Sequence, residues 1–159
     1  MIPPQERYIL SLEQAKKHIQ TADHLAYITF PFIKENKLLL KILEELNSSI
    51  LNIMNAILQY EYLYKRITIY SNSRDNLETF KKISPRYFIS NEQLVNLIEI
   101  LNLAEKHKKS PFEFSKKDKI VIMSDSNQAD VLTIEKIKTD ILETKDILKK
   151  AQNSLKSQV

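Results

Sequence analysis

The chain contains no glycine. Average usage near 7 % would put about 11 into a chain of this length. The absence excludes whole classes of site at once. A P-loop, a dinucleotide-binding fingerprint, a nucleophile elbow and the backbone-clamping loop of a KH domain all need glycine where the chain turns sharply or meets a phosphate. Cysteine is absent too, which removes disulfides, thiol catalysis and thiolate metal sites. Three histidines remain as imidazole bases or ligands. No cofactor is implied.

The 159 residues fit one domain, expected over 1–159, and at this size about 70 % of the unfolded surface can be buried. The segment Met1-Ile2-Pro3-Pro4-Gln5-Glu6-Arg7 has no apolar signal region. No run approaches 18 uncharged apolar residues, so the expectation is a cytoplasmic protein with no membrane segment.

Hydrophobic spacing gives the elements. Tyr8, Leu12, Ala15, Ile19, Ala22, Ala26 and Thr29 alternate at 4 and 3, one helical stripe, which Pro31 stops or kinks near Phe30. Asn36 suits an N-cap for a second helix with Leu39, Leu43, Leu46, Ile50, Ile53, Ile57, Tyr60 and Tyr64 inward. Its wide apolar face marks it as the central helix. Asp75 with Glu78 reads as a capping box opening a short helix to Ile83, and Ser90 with Gln93 as another, opening a long helix to Lys108. Ser110-Pro111 stops that helix. Lys119–Ser124 and Asp130–Thr133 read as a β-hairpin with its turn at Asp125–Ala129. A last helix starts near Thr133 with Ile137, Ile141, Thr144, Leu148, Ala151 and Leu155 inward. The fold class expected is all-α: an antiparallel four-helix bundle with one short extra helix and a small β-hairpin before the last helix. The seven-residue repeat in three stripes also suits a homodimer seam.

Two long helices linked through a proline, the second carrying Ser48, Ser49, Asn52, Asn55 and Ala56, resemble the HEPN superfamily of small helical bundles. Gln14-Ala-Lys-Lys-His-Ile-Gln-Thr-Ala-Asp-His-Leu25 is similar to its first helix and Leu43–Tyr64 to its second, the outline running from Glu6 to Lys108. The resemblance implies a helical bundle, often dimeric, that either cleaves RNA or binds RNA or a protein partner. The ribonuclease motif of that superfamily is Arg, four to six residues, then His. Arginine stands only at 7, 66, 74 and 86 and histidine only at 18, 24 and 107, so no pair has the spacing. The segment from His107 to Ile122 also resembles a motif of small archaeal proteins, which implies no activity.

The formal charge is +4, and six lysines against Glu113 and Asp118 between Lys106 and Lys119 equal that whole excess. This stretch is read as a basic loop. Lys106, His107, Lys108, Lys109, Lys116, Lys117 and Lys119 are the candidate nucleic-acid-binding residues, with lysines on phosphates and Phe112 and Phe114 either anchoring the loop in the core or stacking on bases. An acid–base site is the alternative, with His107 as base or acid, Glu113 orienting it, and Asp118 and Lys117 nearby. His18, Asp23 and His24 make a poor metal site, because positions six apart point to different sides of a helix. Tyr60, Tyr62 and Tyr64, with Glu61, Lys65 and Arg66, form a stacking platform or interface patch, or else Tyr60 and Tyr64 are the last two rungs of the core stripe. Arg66, Arg74 and Arg86 would join the basic surface if the fold brought them near. The functional expectation is a non-catalytic module contacting RNA, or another partner, through 106–119. The alternatives are a HEPN-like ribonuclease with an unorthodox site and a pure protein-interaction or dimerisation bundle.

Overall fold

The structure, a computed structural model, describes residues 3–110, 112–116, 119–123 and 128–156. It is mostly helical, with a small antiparallel sheet before the last helix. In chain order come α1 (Pro4–His24), a π-helical turn (Leu25–Thr29), α2 (Phe30–Ile33), α3 (Lys37–Leu63), α4 (Ser73–Ile83), a 3₁₀ turn (Ser84–Tyr87) and α5 (Asn91–Lys109). Then follow β1 (Phe112–Lys116), β2 (Lys119–Met123), β3 (Ala129–Thr133) and α6 (Ile134–Lys156). Among the described residues no helix is long and apolar enough to cross a membrane.

The long stripes are where spacing puts them. On α1, Tyr8, Leu12, Ala15, Ile19, Ala22 and Ala26 are buried, and on α6 all six expected positions are buried. On α3, Tyr64 departs from the expected stripe: it falls in the C-cap and is half exposed. Beyond α1, Phe30 at the start of α2 replaces Thr29 inward. The cause is the π turn, in which the Phe30 N–H reaches back five residues to the Leu25 carbonyl. A wider turn moves the inward position by one residue. It also restarts the hydrogen-bond ladder, so Pro31 sits in a first turn, where its missing N–H costs nothing. Pro31 therefore does not stop the helical path, which runs on to Ile33.

Cross-helix contacts fix directions. On α1 and α3, Ser49 Oγ donates to the Ala15 carbonyl (2.8 Å), Asn55 Nδ2 to Ser11 Oγ (2.8 Å), and His18 Nδ1 meets Glu45 (2.6 Å). Residue numbers rise on one helix as they fall on the other, so the pair is antiparallel. Gln93 and Lys106 at the two ends of α5 meet Asp146 on α6 and Asp130 on the strand before it, so α5 and α6 are antiparallel as well.

Two caps differ from expectation. Asn36 makes no side-chain capping bond to α3; its Nδ2 donates to the carbonyls of Lys116 (2.7 Å) and Lys119 (3.3 Å) and ties the α2–α3 corner to the β1–β2 turn. Helix α4 starts earlier, with Asn72 as N-cap accepting from the Asp75 N–H, so the Asp75–Glu78 box is not formed. The Ser90–Gln93 box is present in both directions.

The hairpin expected before α6 is a three-stranded sheet in the order β1-β2-β3. The added strand, β1, comes from the stretch read as a loop. That stretch is instead the end of α5 followed by a strand, with Phe114 opposite Val121 and Lys116 opposite Lys119. Ile120, Ile122 and Leu132 on the inner face are buried against the helices, which supplies the support a bare hairpin lacks. Pro111, Lys117, Asp118, Ser124 and Asp125–Asn127 in the proposed turn lie outside the described residues.

Without glycine, three left-handed positions fall to ordinary residues: Lys34 (φ 54°), Lys65 (φ 58°) and Phe88 (φ 61°). Lys65 and Phe88 each sit in a closing turn of Schellman type, with the Arg66 N–H on the Glu61 carbonyl (3.0 Å) and the Ile89 N–H on the Ser84 carbonyl (3.4 Å). A side chain in this conformation costs about 1 kcal/mol. Lys65→Gly is expected to raise the melting temperature by about 2–4 °C, and Lys65→Ala to leave it unchanged. A thermal melt in which Lys65→Gly falls below wild type contradicts this.

Candidate functional site

The basic stretch is divided by the alternation of the strands. Lys106, His107, Lys108 and Lys109 form the last turn of α5, at the negative end of the helix, where cations are stabilised. Glu113 on β1 and Asp130 on β3 both stand opposite Ile122, on the inner face of the sheet. From there they take two side chains of that turn. Lys106 Nζ pairs with Asp130, and His107 Nδ1 with Glu113 (2.5 Å). His107 Nε2 meets Glu44 of α3 (3.3 Å). Lys109 pairs with Glu105 one turn back (3.1 Å). The last turn of α5 is thus stapled to the sheet and to α3 by Lys106 and His107. Lys108 lies apart, in a groove of about 530 Å³ that it shares with Arg74. Lys117 lies outside the described residues.

Lys116 and Lys119 go the other way. They pair with each other across β1 and β2, two residues along from the Phe114–Val121 pair and so on the same face. Val121 also faces Val131 of β3. Phe114 is 45 % exposed and Val131 49 %, while Val121 between them is covered. Phe114 is therefore not a core plug; the side chain of Phe112 lies outside the described residues. The outer face is an aromatic and aliphatic strip ending in two lysines, and among the described residues neither lysine has an ion-pair partner. Next to the turn, across the Asn36 bonds, stands the α2–α3 corner with Phe32 (87 % exposed), Lys34 and Lys37. Sequence reasoning missed these three. Asn36 carried the only signal, and it read as a helix cap.

At the other end of α3, Glu61 is 1 % exposed and binds two arginines, Arg66 through Oε2 (3.1 Å) and Arg86 through Oε1 (3.2 Å). Burial and the Glu61 carboxylate push the Tyr87 hydroxyl well above the usual phenol range. Tyr60 is core, and its ring lies edge-on to Tyr8 at 5.3 Å. Tyr62 and Tyr64 are half exposed, with the Arg66 guanidinium 5.4 Å from the Tyr64 ring. The 17 residues from Glu44 to Glu61 span about 26 Å of helix. Arg66 and Arg86 therefore do not join the basic stretch; Arg74 alone comes beside it.

Of the small polar residues on α3, Ser49 and Asn55 are spent on α1, and Asn52 bonds the Ser48 carbonyl of its own helix (2.8 Å). His18 is held by Glu45 and Asp23 by Lys145, while His24 is exposed. Among the described residues no three His, Asp or Glu side chains converge as a metal ion requires. No protein-family model, curated protein or solved structure matches the chain.

A groove of about 600 Å³ lies between α5, α6 and β3 and is lined by Glu99, Lys106, Asp130, Lys136 and Asp140 among others. Asp140 is buried, with Lys136 Nζ at 2.9 Å. Burial pushes its carboxyl above the usual range, Glu99 and Glu143 add to this, and Lys136 opposes it. A carboxyl that holds its proton more tightly folded than unfolded costs stability above its folded pKa, and the cost vanishes below the ordinary value of 3.8. Asp140→Asn is expected to melt higher than wild type at pH 7, with the gap closing as the pH falls toward 3.8. A variant less stable at pH 7 would show that the Lys136 pair outweighs burial.

Proposed function

We propose that this chain is a non-catalytic antiparallel four-helix bundle that carries a small sheet for binding single-stranded RNA. The observation that carries the reading is the exposed Phe114 ring in strand register with Lys116 and Lys119. Single strands are gripped by aromatic faces under the bases and by cations along the backbone, and neither needs glycine. Phe32, Lys34 and Lys37 extend the surface around the turn. Lys106, His107 and Lys109, committed to acids, take no part in it.

The role of each residue follows. Lys116, Lys119, Lys34 and Lys37 contact phosphates as point charges, which gives affinity without sequence preference. Phe114 stacks on a base. Two to four neutralised phosphates give a slope of log K against log salt of roughly −1.5 to −3 for a single strand. Lys116→Glu with Lys119→Glu is expected to abolish binding of a short RNA at low salt and to leave the melting temperature nearly unchanged. Phe114→Ala is expected to cost about 1–3 kcal/mol of affinity. Nuclease-treated, repurified protein that binds no RNA at low salt ends this reading and turns attention to a protein partner.

A ribonuclease reading draws support from His107 standing against Glu113, as an acid–base pair would. Glu44 occupies the other ring nitrogen, so a substrate would have to displace it. Cleavage of RNA that survives His107→Ala excludes this reading.

A further inference from the structure

We propose that the far end of α3 is a second, separate site, which takes the phosphate monoester and base of a nucleotide on Arg66, Arg86 and Phe88. Glu61 is buried and carries one negative charge, yet it holds two guanidiniums, one on each oxygen. One positive charge is left over at the surface. The arginines come from different segments, Arg66 from the link after α3 and Arg86 from the 3₁₀ turn before α5. Neither segment's local structure brings them together; the carboxylate does. Each guanidinium has five N–H donors, and among the described residues one from each is given to Glu61. Both side chains are about half exposed. Two planar forks fixed in place beforehand suit a phosphate better than mobile lysines do, since little freedom is lost on binding.

Phe88 supplies the second, independent observation. It is 75 % exposed and held at φ 61°. A bulky residue there is a true outlier, because the position favours glycine or asparagine. Packing does not explain it, since most of the ring lies in solvent. Buried Tyr87 separates it from Arg86, which leaves both neighbours at the surface. Strain that buys no burial points to an aromatic face kept for a ligand. Tyr64, under Arg66, gives a further exposed ring.

The ligand chemistry is a phosphate monoester on a planar base. It has two sources, a free mononucleotide or the 5′-phosphorylated end of an RNA strand. The site lies about 26 Å along α3 from the level of Glu44, so a mononucleotide tests it apart from the sheet face. Calorimetric titration of the full chain with AMP, adenosine and inorganic phosphate is the experiment. AMP is expected to bind more tightly than phosphate, and adenosine not to bind measurably. Phe88→Gly is expected to melt about 2–4 °C higher yet bind AMP about tenfold more weakly. Arg86→Lys, which keeps the charge and loses the fork, is expected to weaken AMP about tenfold, whereas Lys116→Glu with Lys119→Glu leaves it unchanged. In the Lys116→Glu, Lys119→Glu variant, which silences the sheet face, a 5′-phosphorylated tetranucleotide that binds tenfold tighter than AMP identifies an RNA end as the source; equal affinity identifies the free nucleotide. No AMP binding at millimolar concentration, or binding indifferent to both Phe88→Gly and Arg86→Lys, overturns the proposal.

Discussion

Everything in this structure leans on the contact between α1 and α3. Ala15, Ala22 and Ala26 on one helix and Ser49 and Ala56 on the other have no exposed surface. Small side chains let the two helices approach closely, and the Ser49 hydroxyl uses that closeness to reach the Ala15 carbonyl. A larger residue at Ala15 or Ser49, which meet directly, would push the pair apart and strain the core. Helix α3 then offers its remaining apolar surface to α5 and α6, and the sheet packs against all three helices. Of the small polar residues in the middle of α3, Ser49 and Asn55 belong to this contact, while Asn52 bonds its own helix.

Charge does a different job at each end. At the sheet end, inner-face acids pull Lys106 and His107 inward, while strand alternation leaves Lys116 and Lys119 outside. Lys106, His107 and Glu113 are mostly covered and Asp130 is half exposed, so these pairs fix how the last turn of α5 meets the sheet. At the far end the carboxylate is buried and its partners are not. Removing one arginine there leaves Glu61 half compensated in a dry place, a far costlier event than losing a surface pair.

Much of the helical architecture was legible because its signals are periodic and local. The stripes of α1, α3 and α6 and the Ser90–Gln93 box are patterns that spacing alone reveals. The misses share one cause, which is that a distant partner decides the outcome. Asn36 looks like a cap by its type and position, yet it bonds a turn 80 residues away. Phe112-Glu-Phe-Ser-Lys116 looks like a loop because its lysines and serine dilute the apolar alternation, and only pairing with β2 makes it a strand. The basic stretch read as one surface because sequence lists charges without saying which face each takes. Arg86 reads as an isolated charge until the fold brings it to Glu61.

The π turn at Leu25–Thr29 bears on how the length of this chain can vary. A π turn holds one residue more than the α-helical turn it replaces, so deleting one residue there would restore an ordinary helix with both flanking stripes in register. Pro31 closes that route. In an uninterrupted helix its ring would press on the carbonyl four residues back, at a cost of about 3 kcal/mol. The extra residue and the proline therefore protect each other. Losing the first is tolerable only after the second has been replaced, so the two positions are bound to change in a fixed order.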